Sequence, residues 1–241
     1  MNRLNVLLFT LCALAALIVV YPQALDLTVA HFLFSAPRGK FLGSEWIANL
    51  LQSILAFLTG TFVTVCLGVL AIDCLGRLRQ TKFRFPVTSR SVIYLLLALA
   101  LGPGLVINGI FKQAWGRARP RDVVEFGGKK HFSGAFVLSD QCRANCSFVS
   151  GESSLGFYGL TFMFVARRRR RTILAASLLD GTSIGFVRMS VGAHFLSDIL
   201  FSAVFTFVVS FLVYLSMFHE EWEKKKPAVA LDSEKAGRKL A

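Results

Sequence analysis

Charged residues are scarce in this chain, and acidic residues are the scarcest. Only 17 % of the 241 residues are charged, against roughly 25 % in soluble proteins. Such a low charged fraction argues against an ordinary soluble domain. The 27 basic residues outnumber the 14 acidic ones and give a net charge of +13. They lie between long apolar runs, which favours a membrane protein with uneven loop charges over a nucleic-acid-binding protein.

Cysteine and histidine are also few, with five and four copies. Cys12, Cys66 and Cys74 lie in or beside apolar segments, where we expect them to pack as small hydrophobic residues. Cys142 and Cys146 share a polar loop and could form a disulfide if that loop lies outside the cytoplasm, or remain free thiols. No second Cys/His pair accompanies them, which argues against a zinc site. No cluster of Asp, Glu and His residues indicates another metal, so no cofactor is expected.

Apolar sequence is abundant, with hydrophobic residues making up 54 % of the chain. A short stretch, Asp26–Phe34, is predicted to be an interfacial or re-entrant piece. The composition predicts an all-α, polytopic membrane bundle of about six transmembrane helices over residues 1–218, followed by a charged, mobile cytoplasmic tail at 219–241. Six runs have about the length of a membrane-spanning helix: Leu4–Tyr21, Ile47–Ile72, Ser91–Phe111, Phe148–Ala166, Thr172–Val187 and Ile199–Phe218.

Lysine and arginine predict the orientation, because cytoplasmic loops carry an excess of both. In a six-helix bundle the basic segments around Arg3, Arg77 to Arg90, Arg167 to Arg171 and the tail share one side. We expect this side and both termini to be cytoplasmic, with the other loops facing the periplasm or its equivalent. The first run could instead be a cleaved signal peptide, which would leave the rest unchanged. The loop from Lys112 to Ser147 is basic although it falls on the periplasmic side, which indicates a functional need for cations.

That loop begins with Lys112, Arg117 and Arg119, directly after an apolar run. A guanidinium group offers a planar set of donors for phosphate oxygens, and an ammonium group adds a compact charge. Basic residues often flank membrane helices in general. Because these three lie on the side that the positive-inside rule disfavours, we interpret them as an anion-binding segment.

A second polar segment, Cys146 to Ser154, opens the fourth apolar run. A Gly-containing turn at a helix N-terminus presents free N–H groups and the positive end of the helix dipole, and Ser150 adds a hydroxyl. Ser150 and Gly151 would also suit an ordinary N-cap, and Glu152 an ordinary first-turn acid. The segment alone therefore leaves both interpretations open.

The third polar segment contains Arg188, His194 and Asp198. The spacing of four residues predicts that His194 and Asp198 lie on one helix face. Asp198 could then accept a hydrogen bond from one ring nitrogen and make the other a better nucleophile. A lone His near a membrane helix is more often a core residue, but an acid at this spacing and a nearby Arg favour catalysis.

Together the three segments resemble the type 2 phosphatidic acid phosphatases, which share their site with the vanadium haloperoxidases. That family has the pattern K-x6-R-P, then P-S-G-H, then S-R-x5-H-x3-D. The corresponding residues span Lys112 to Asp198, and we take residues 112–198 as the catalytic segments of the domain. This chain has Lys112, Arg119 and Pro120, then Ser150, Gly151 and Glu152, then Arg188, His194 and Asp198.

The resemblance implies a lipid phosphatase that needs no metal. Lys112, Arg119 and Arg188 would clamp the phosphoryl oxygens, and Ser150 with the amide of Gly151 would complete the cradle. His194 would attack phosphorus and form a phosphohistidine, oriented by Asp198, before water releases phosphate. The partners implied are the bilayer and a membrane lipid, with no nucleic acid.

The chain departs from the family most seriously at Glu152, which stands where the family has a second His. That His protonates the leaving alcohol. A carboxylic acid can do so if an apolar site raises its pKa, but nearby cations act in the opposite direction. Glu152 is therefore either a substitute general acid or a sign of lost activity, and we favour the first. Val149 and Val187 replace a family Pro and Ser.

Family members that act on lipid A look similar around this acid, with an N-C-S-F-V-x-G-acid run after a Gly-Gly pair. Here Asn145 to Glu152 reads N-C-S-F-V-S-G-E, after Gly127 and Gly128. We therefore expect a lipid A phosphatase (1 or 4′ position) with its site at the periplasmic face. Alternatives are a phosphatidylglycerol phosphate or undecaprenyl diphosphate phosphatase, a lipid phosphotransferase, or an inactive relative that only binds lipid phosphate.

Overall fold

The computed structural model describes residues 23–80, 87–166 and 168–220. The first predicted run, the signal-peptide alternative and nearly all of the tail at 219–241 lie outside the described residues. Within them the protein is mainly helical, as the sequence predicts. The elements are α1 (Ala24–Phe32), β1 (Phe34–Ser35), β2 (Lys40–Phe41), α2 (Glu45–Leu78), α3 (Ser89–Leu99), α4 (Gly151–Phe157), α5 (Arg170–Ser190) and α6 (Leu196–Met217).

Two helices continue beyond these bounds in a different winding. After α3 the chain runs on as a π-helical stretch, Ala100–Phe111, and one α-helical turn, Lys112–Ala114. Pro103 lies inside this stretch, where it lacks the N–H of a regular helix and favours wider winding. After α4 the chain forms a 3-10 turn, Tyr158–Thr161, and a last α-helical turn, Phe162–Val165.

Three helices of the described residues are long and apolar enough to span a membrane: Glu45–Leu78, Ser89–Ala114 and Leu196–Met217. They contain the second, third and sixth predicted runs. Only 6 % of the apolar window of α2 is buried inside the protein, against 56 % for α6. Among the described residues α6 is therefore the central helix and α2 a peripheral one, whose apolar surface suits contact with lipid or with another apolar segment.

The fourth and fifth predicted runs are helical but do not reach the same combination of length and hydropathy. The fourth is divided among α4, the 3-10 turn and Phe162–Val165. The fifth lies in α5, whose polar residues include Asp180 and the arginines at its start. Both pack closely together: a Cβ on Gly156 would lie 2.8 Å from the Cα of Gly181. Glycine at this crossing lets the backbones of α4 and α5 approach each other.

Short elements close one end of the helical bundle. Strands β1 and β2 form a two-residue antiparallel pair, with Phe34 opposite Phe41. Both rings pack on the buried Phe126 of the loop that follows α3. These contacts hold α1 and the basic loop against the start of α6, at the end where the polar segments meet.

Candidate active site

The three polar segments converge at this end because helices of opposite direction meet there. Lys112 lies where α3 and its continuation end, and Arg188 lies in the last turn of α5. Glu152 lies in the first turn of α4, and Asp198 in the first turn of α6. His194 lies in the short turn that joins α5 to α6. The structure therefore brings together side chains that the sequence separates by up to 86 residues.

His194 is held by one ring nitrogen and presents the other. Its side chain is only 1 % exposed. Nδ1 lies 2.8 Å from the backbone oxygen of Ser147, an acceptor that requires the hydrogen on Nδ1. Nε2 is then the nitrogen on the side of Glu152, and among the described residues this buried atom has no hydrogen-bond partner. The ring is thus fixed through one nitrogen while the other stays available.

The prediction that His194 and Asp198 share a helix face was wrong, because His194 precedes α6 instead of lying within it. Asp198 is in the first turn of that helix, and its carboxylate folds back to accept the N–H of Phe195 at 2.8 Å. This capping arrangement leaves its Oδ2 3.5 Å from Nδ1 of His194. The closer partner of the ring is therefore the Ser147 carbonyl, and Asp198 supplies a nearby negative charge.

Glu152 occupies the centre of the cationic cluster. Its Oε2 lies 3.7 Å from Nζ of Lys112 and 3.7 Å from Nε2 of His194, and its Oε1 lies 3.5 Å from a terminal nitrogen of Arg188. These are ion-pair distances, longer than those of a good hydrogen bond. Glu152 Oε2 and Arg188 Nε are buried without a hydrogen-bond partner. The cluster therefore has strong charges but unused donors and acceptors.

Glu152 is subject to two opposing influences. Burial disfavours its charged form, whereas the cations Lys112 and Arg188, 3.5–3.7 Å from its oxygens, favour that form. A role for Glu152 as proton donor therefore requires that substrate binding change its surroundings.

Ser150 and Gly151 lie at the start of α4, as predicted. The Ser150 side chain caps the helix by accepting the N–H of Ser153 at 3.3 Å. A Cβ on Gly151 would lie 3.1 Å from Nζ of Lys112 and 2.5 Å from Oδ1 of Asn108. A side chain here would clash first with the Asn108 amide oxygen and would also press on the lysine ammonium, so glycine lets both groups approach the backbone.

A disulfide between Cys142 and Cys146 joins the ends of a five-residue loop. A terminal nitrogen of Arg119 donates a hydrogen bond to the Asn145 carbonyl in this loop at 2.8 Å. The N–H of Cys146 donates to the carbonyl of Lys112 at 3.0 Å. The loop therefore supports two of the predicted phosphate-binding residues, one through its side chain and the other through its backbone.

Sequence reasoning missed the part played by Asp26 and understated that of Arg117. Both are fully buried. The Arg117 guanidinium contacts a carboxylate oxygen of Asp26 at 2.7 Å and one of Asp198 at 2.7 Å. An acid in the otherwise apolar stretch Asp26–Phe34 was the available signal, because such an acid needs a buried partner. No local sequence pattern indicated that the partner is Arg117, which lies 91 residues further along the chain.

Known proteins match this chain over the same segments. The family model described as the PAP2 superfamily matches residues 91–222. This chain belongs to the PAP2 superfamily. The match contains every residue of the three motifs, including the departure at Glu152, whereas Asp26 lies before it. Among the described residues of this PAP2 protein, no group of three or more His, Cys, Asp or Glu side chains could hold a metal ion.

Three curated relatives of this PAP2 protein carry the name lipid A 4′-phosphatase. The protein of Francisella tularensis subsp. novicida is 32 % identical over 92 % of this chain and 99 % of its own length. The Rhizobium leguminosarum protein is 35 % identical over 54 % of this chain and 56 % of its own length. The Rhizobium etli protein is 35 % identical over 55 % and 51 %, respectively. No solved structure matches.

Proposed function

We propose that this PAP2 protein is a membrane-embedded phosphatase that hydrolyses the 4′-phosphomonoester of lipid A. The observation that carries the proposal is the buried Nε2 of His194, which lacks a partner and faces the charges of Lys112, Arg188 and Glu152. The names of the three relatives support lipid A as the substrate and the 4′ position over the 1 position.

Lys112, Arg119 and Arg188 would bind the phosphoryl oxygens. Arg188 has a buried Nε without a partner, and Lys112 has only a long ion pair to Glu152, so both can take up an anion without losing a good hydrogen bond. The N-terminus of α4, with Ser150 and Gly151, would add its positive dipole end to the cradle. Such a fixed set of cations stabilises the charge of a phosphoryl transition state.

His194 would attack phosphorus through Nε2. The new P–N bond forms as the bond between phosphorus and the lipid oxygen breaks, and the ring acquires positive charge. The hydrogen bond from Nδ1 to the Ser147 carbonyl fixes the tautomer, and Asp198 at 3.5 Å stabilises that charge. Water then attacks phosphorus, the P–N bond breaks, and inorganic phosphate leaves.

Glu152 would supply the proton to the leaving lipid alcohol. In the ligand-free site its carboxylate takes the position that the phosphoryl group needs, against Lys112, Arg188 and His194. An entering phosphate takes over these cations and places negative charge beside Glu152, and both changes favour the neutral acid. A singly ionised phosphomonoester can provide the proton. In the second step the Glu152 carboxylate accepts a proton from the attacking water.

The same proposal includes the membrane arrangement. Six spanning helices with both termini in the cytoplasm would place the site at the periplasmic face of the bacterial inner membrane. The three apolar helices of the described residues and the basic loop segments support it. A lipid phosphate in that leaflet could enter while its acyl chains stay in the bilayer. Residues 1–218 would form this domain and 219–241 a cytoplasmic tail.

The decisive test is mass spectrometry of lipid A after incubation with purified protein in the presence of a chelator. We expect the loss of one phosphate, with fragmentation showing the 4′ position. His194→Ala, which removes the nucleophile, should reduce the loss to background while the protein remains folded. Equal phosphate loss from the wild type and from His194→Ala would contradict the mechanism.

The substrate is tested separately from the chemistry. If lipid A keeps both phosphates while phosphatidylglycerol phosphate or undecaprenyl diphosphate is hydrolysed in a His194-dependent way, the lipid assignment is wrong and the site stands. If none of these lipids reacts but inorganic phosphate binds, the protein is an inactive relative that binds lipid phosphate. Labelled phosphate that appears on a second lipid would reveal a phosphotransferase.

A further inference from the structure

A second buried ion cluster, built around Arg117, lies next to the proposed nucleophile. Its member Asp198 is 3.5 Å from His194. Asp26, Arg117, Ser197 and Asp198 are all fully buried. The Arg117 guanidinium donates to Asp26, Asp198 and the Ser197 hydroxyl at 2.7–2.8 Å. Its Nε donates to the backbone oxygen of Ser133 at 2.8 Å.

Asp26 connects α1 to the start of α6 through the same cluster. Its carboxylate accepts the backbone N–H of Ser197 at 2.9 Å and the hydroxyl of Ser197 at 2.6 Å. The Phe195 ring lies 4.4 Å from the Arg117 guanidinium carbon, in a cation–π contact. The backbone that directly follows His194 is thus held at two points. Asp26 accepts the N–H of Ser197, and Asp198 accepts the N–H of Phe195.

The charge count of this cluster is unusual. Two carboxylates contact one guanidinium, so the formal charges of Asp26, Arg117 and Asp198 sum to −1. Without the charge of Asp26, Arg117 would interact with Asp198 alone. The positive charge of Arg117 would then cancel the effect of the Asp198 carboxylate on His194. Because Asp26 shares Arg117, Asp198 keeps part of its negative charge 3.5 Å from the imidazole.

We propose that Asp26 and Arg117 are positioning residues for His194, which they orient and activate through Asp198. The inference rests on the proposed function, since it assigns these residues to the phosphoryl transfer at His194. The side-chain contacts of Arg117 and Asp26 described above run to Asp198, Ser197, Ser133 and Phe195, on the side of His194 away from Glu152. They should therefore affect the chemical step and leave phosphate binding nearly unchanged.

The test compares Asp26→Asn with the double variant Asp26→Asn/Arg117→Gln. The first leaves the cluster with a net charge of zero, and the second restores −1 by removing the guanidinium. We expect Asp26→Asn to lower kcat by about 10- to 100-fold, as is typical for partners that orient a functional histidine. KM and the Kd of inorganic phosphate should stay within about twofold. The double variant should recover most of the lost kcat.

A purely structural role gives a different pattern, because removing a second buried partner would reduce stability and activity further. Asp73→Asn is the matched control. It makes the same change in a carboxylate that pairs with Arg77 near the C-terminal end of α2, away from the site. The melting temperature and circular dichroism of each variant are measured alongside.

The inference is overturned if folded Asp26→Asn keeps the wild-type kcat, or if the double variant is no faster than the single one. If Asp26→Asn does not fold, the double variant decides alone, since near wild-type kcat supports the inference and a 10- to 100-fold loss overturns it. Failure of the proposed function is distinguishable, because the wild-type protein would then release no phosphate.

Discussion

Two buried charge clusters lie on opposite sides of His194, and they differ in how completely their groups are paired. Behind the ring, Arg117 joins Asp26 and Asp198 at 2.7 Å. In front of it, Lys112 and Arg188 lie 3.7 and 3.5 Å from Glu152. All atoms without partners in these two clusters belong to the front one, namely Glu152 Oε2 and Arg188 Nε.

In the rear cluster the donors and acceptors are paired within the protein. In the front cluster some of them lack partners that a ligand could supply. Buried polar groups without partners cost free energy, and a protein retains them where a bound molecule will satisfy them. The rear cluster gains nothing from a ligand because its donors and acceptors are already used. The front cluster would be completed by three phosphoryl oxygens, which is why we place the substrate there.

Among the variants that test this difference between the two clusters, Glu152→Gln should change turnover the most. The amide cannot transfer a proton, so we expect kcat to fall by about 10²- to 10⁴-fold. Removing the negative charge also frees Lys112 and Arg188, so inorganic phosphate should bind more tightly than to the wild type. Steady-state kinetics and calorimetric phosphate binding measure the two effects.

Opposite changes in binding and turnover are the signature of this proposal. If Glu152→Gln keeps near-normal activity, the assignment of Glu152 as general acid is wrong. Glu45→Gln is the matched control, because Glu45 is an exposed carboxylate whose contact is a 3.7 Å ion pair with Arg121.

A smaller loss is expected from Arg119→Ala, which removes a cation near the front cluster but leaves the proposed nucleophile and proton donor. Hydrogen bonds to charged groups contribute about 1.5–3 kcal/mol, so kcat/KM should fall by roughly 10- to 100-fold. Both KM and kcat should change, because the cation binds the ground state and stabilises the transition state. Arg121→Ala, two residues along and partly exposed, should stay near the wild type. Equal losses in the two variants would show a general electrostatic effect instead of a specific contact.

The smallest effect is expected from opening the Cys142–Cys146 disulfide. Reduction frees the loop that holds Arg119 through the Asn145 carbonyl and Lys112 through its backbone. A hydrogen bond contributes about 1 kcal/mol net, so we expect KM to rise by about fivefold or less while kcat changes little. Activity with and without reductant is compared with that of Cys142→Ser/Cys146→Ser, which should not respond to reductant. An unchanged KM in the double variant would show that the loop keeps its shape without the bond.

The front cluster was largely predictable from the sequence, and the rear one was not. Lys112, Arg119, Arg188 and His194 stand at family spacings, and each segment lies at the end of an apolar helix, so their meeting follows from the direction of the helices. Asp26 and Arg117 meet only because α1 folds back onto the start of α6, a long-range contact that no local pattern encodes.

The local geometry around His194 could not be predicted from residue spacing either. A separation of four residues predicts a shared face only inside a helix, and α6 begins two residues after His194. The helices themselves were well predicted by apolar length, but Phe148–Ala166 and Thr172–Val187 gave helices that are shorter or more polar than the other runs. Asp180 and the close glycine contact of Gly156 with Gly181 account for part of that difference.

The resting position of Glu152 has a consequence for the end of the catalytic cycle. In the proposed mechanism, inorganic phosphate would be held by the same cations that the carboxylate contacts in the free protein. Once Glu152 has lost the proton taken from water, its carboxylate would compete with the product from within the site, at a fixed and high effective concentration. An internal competitor of this kind would weaken product inhibition and speed the release of phosphate.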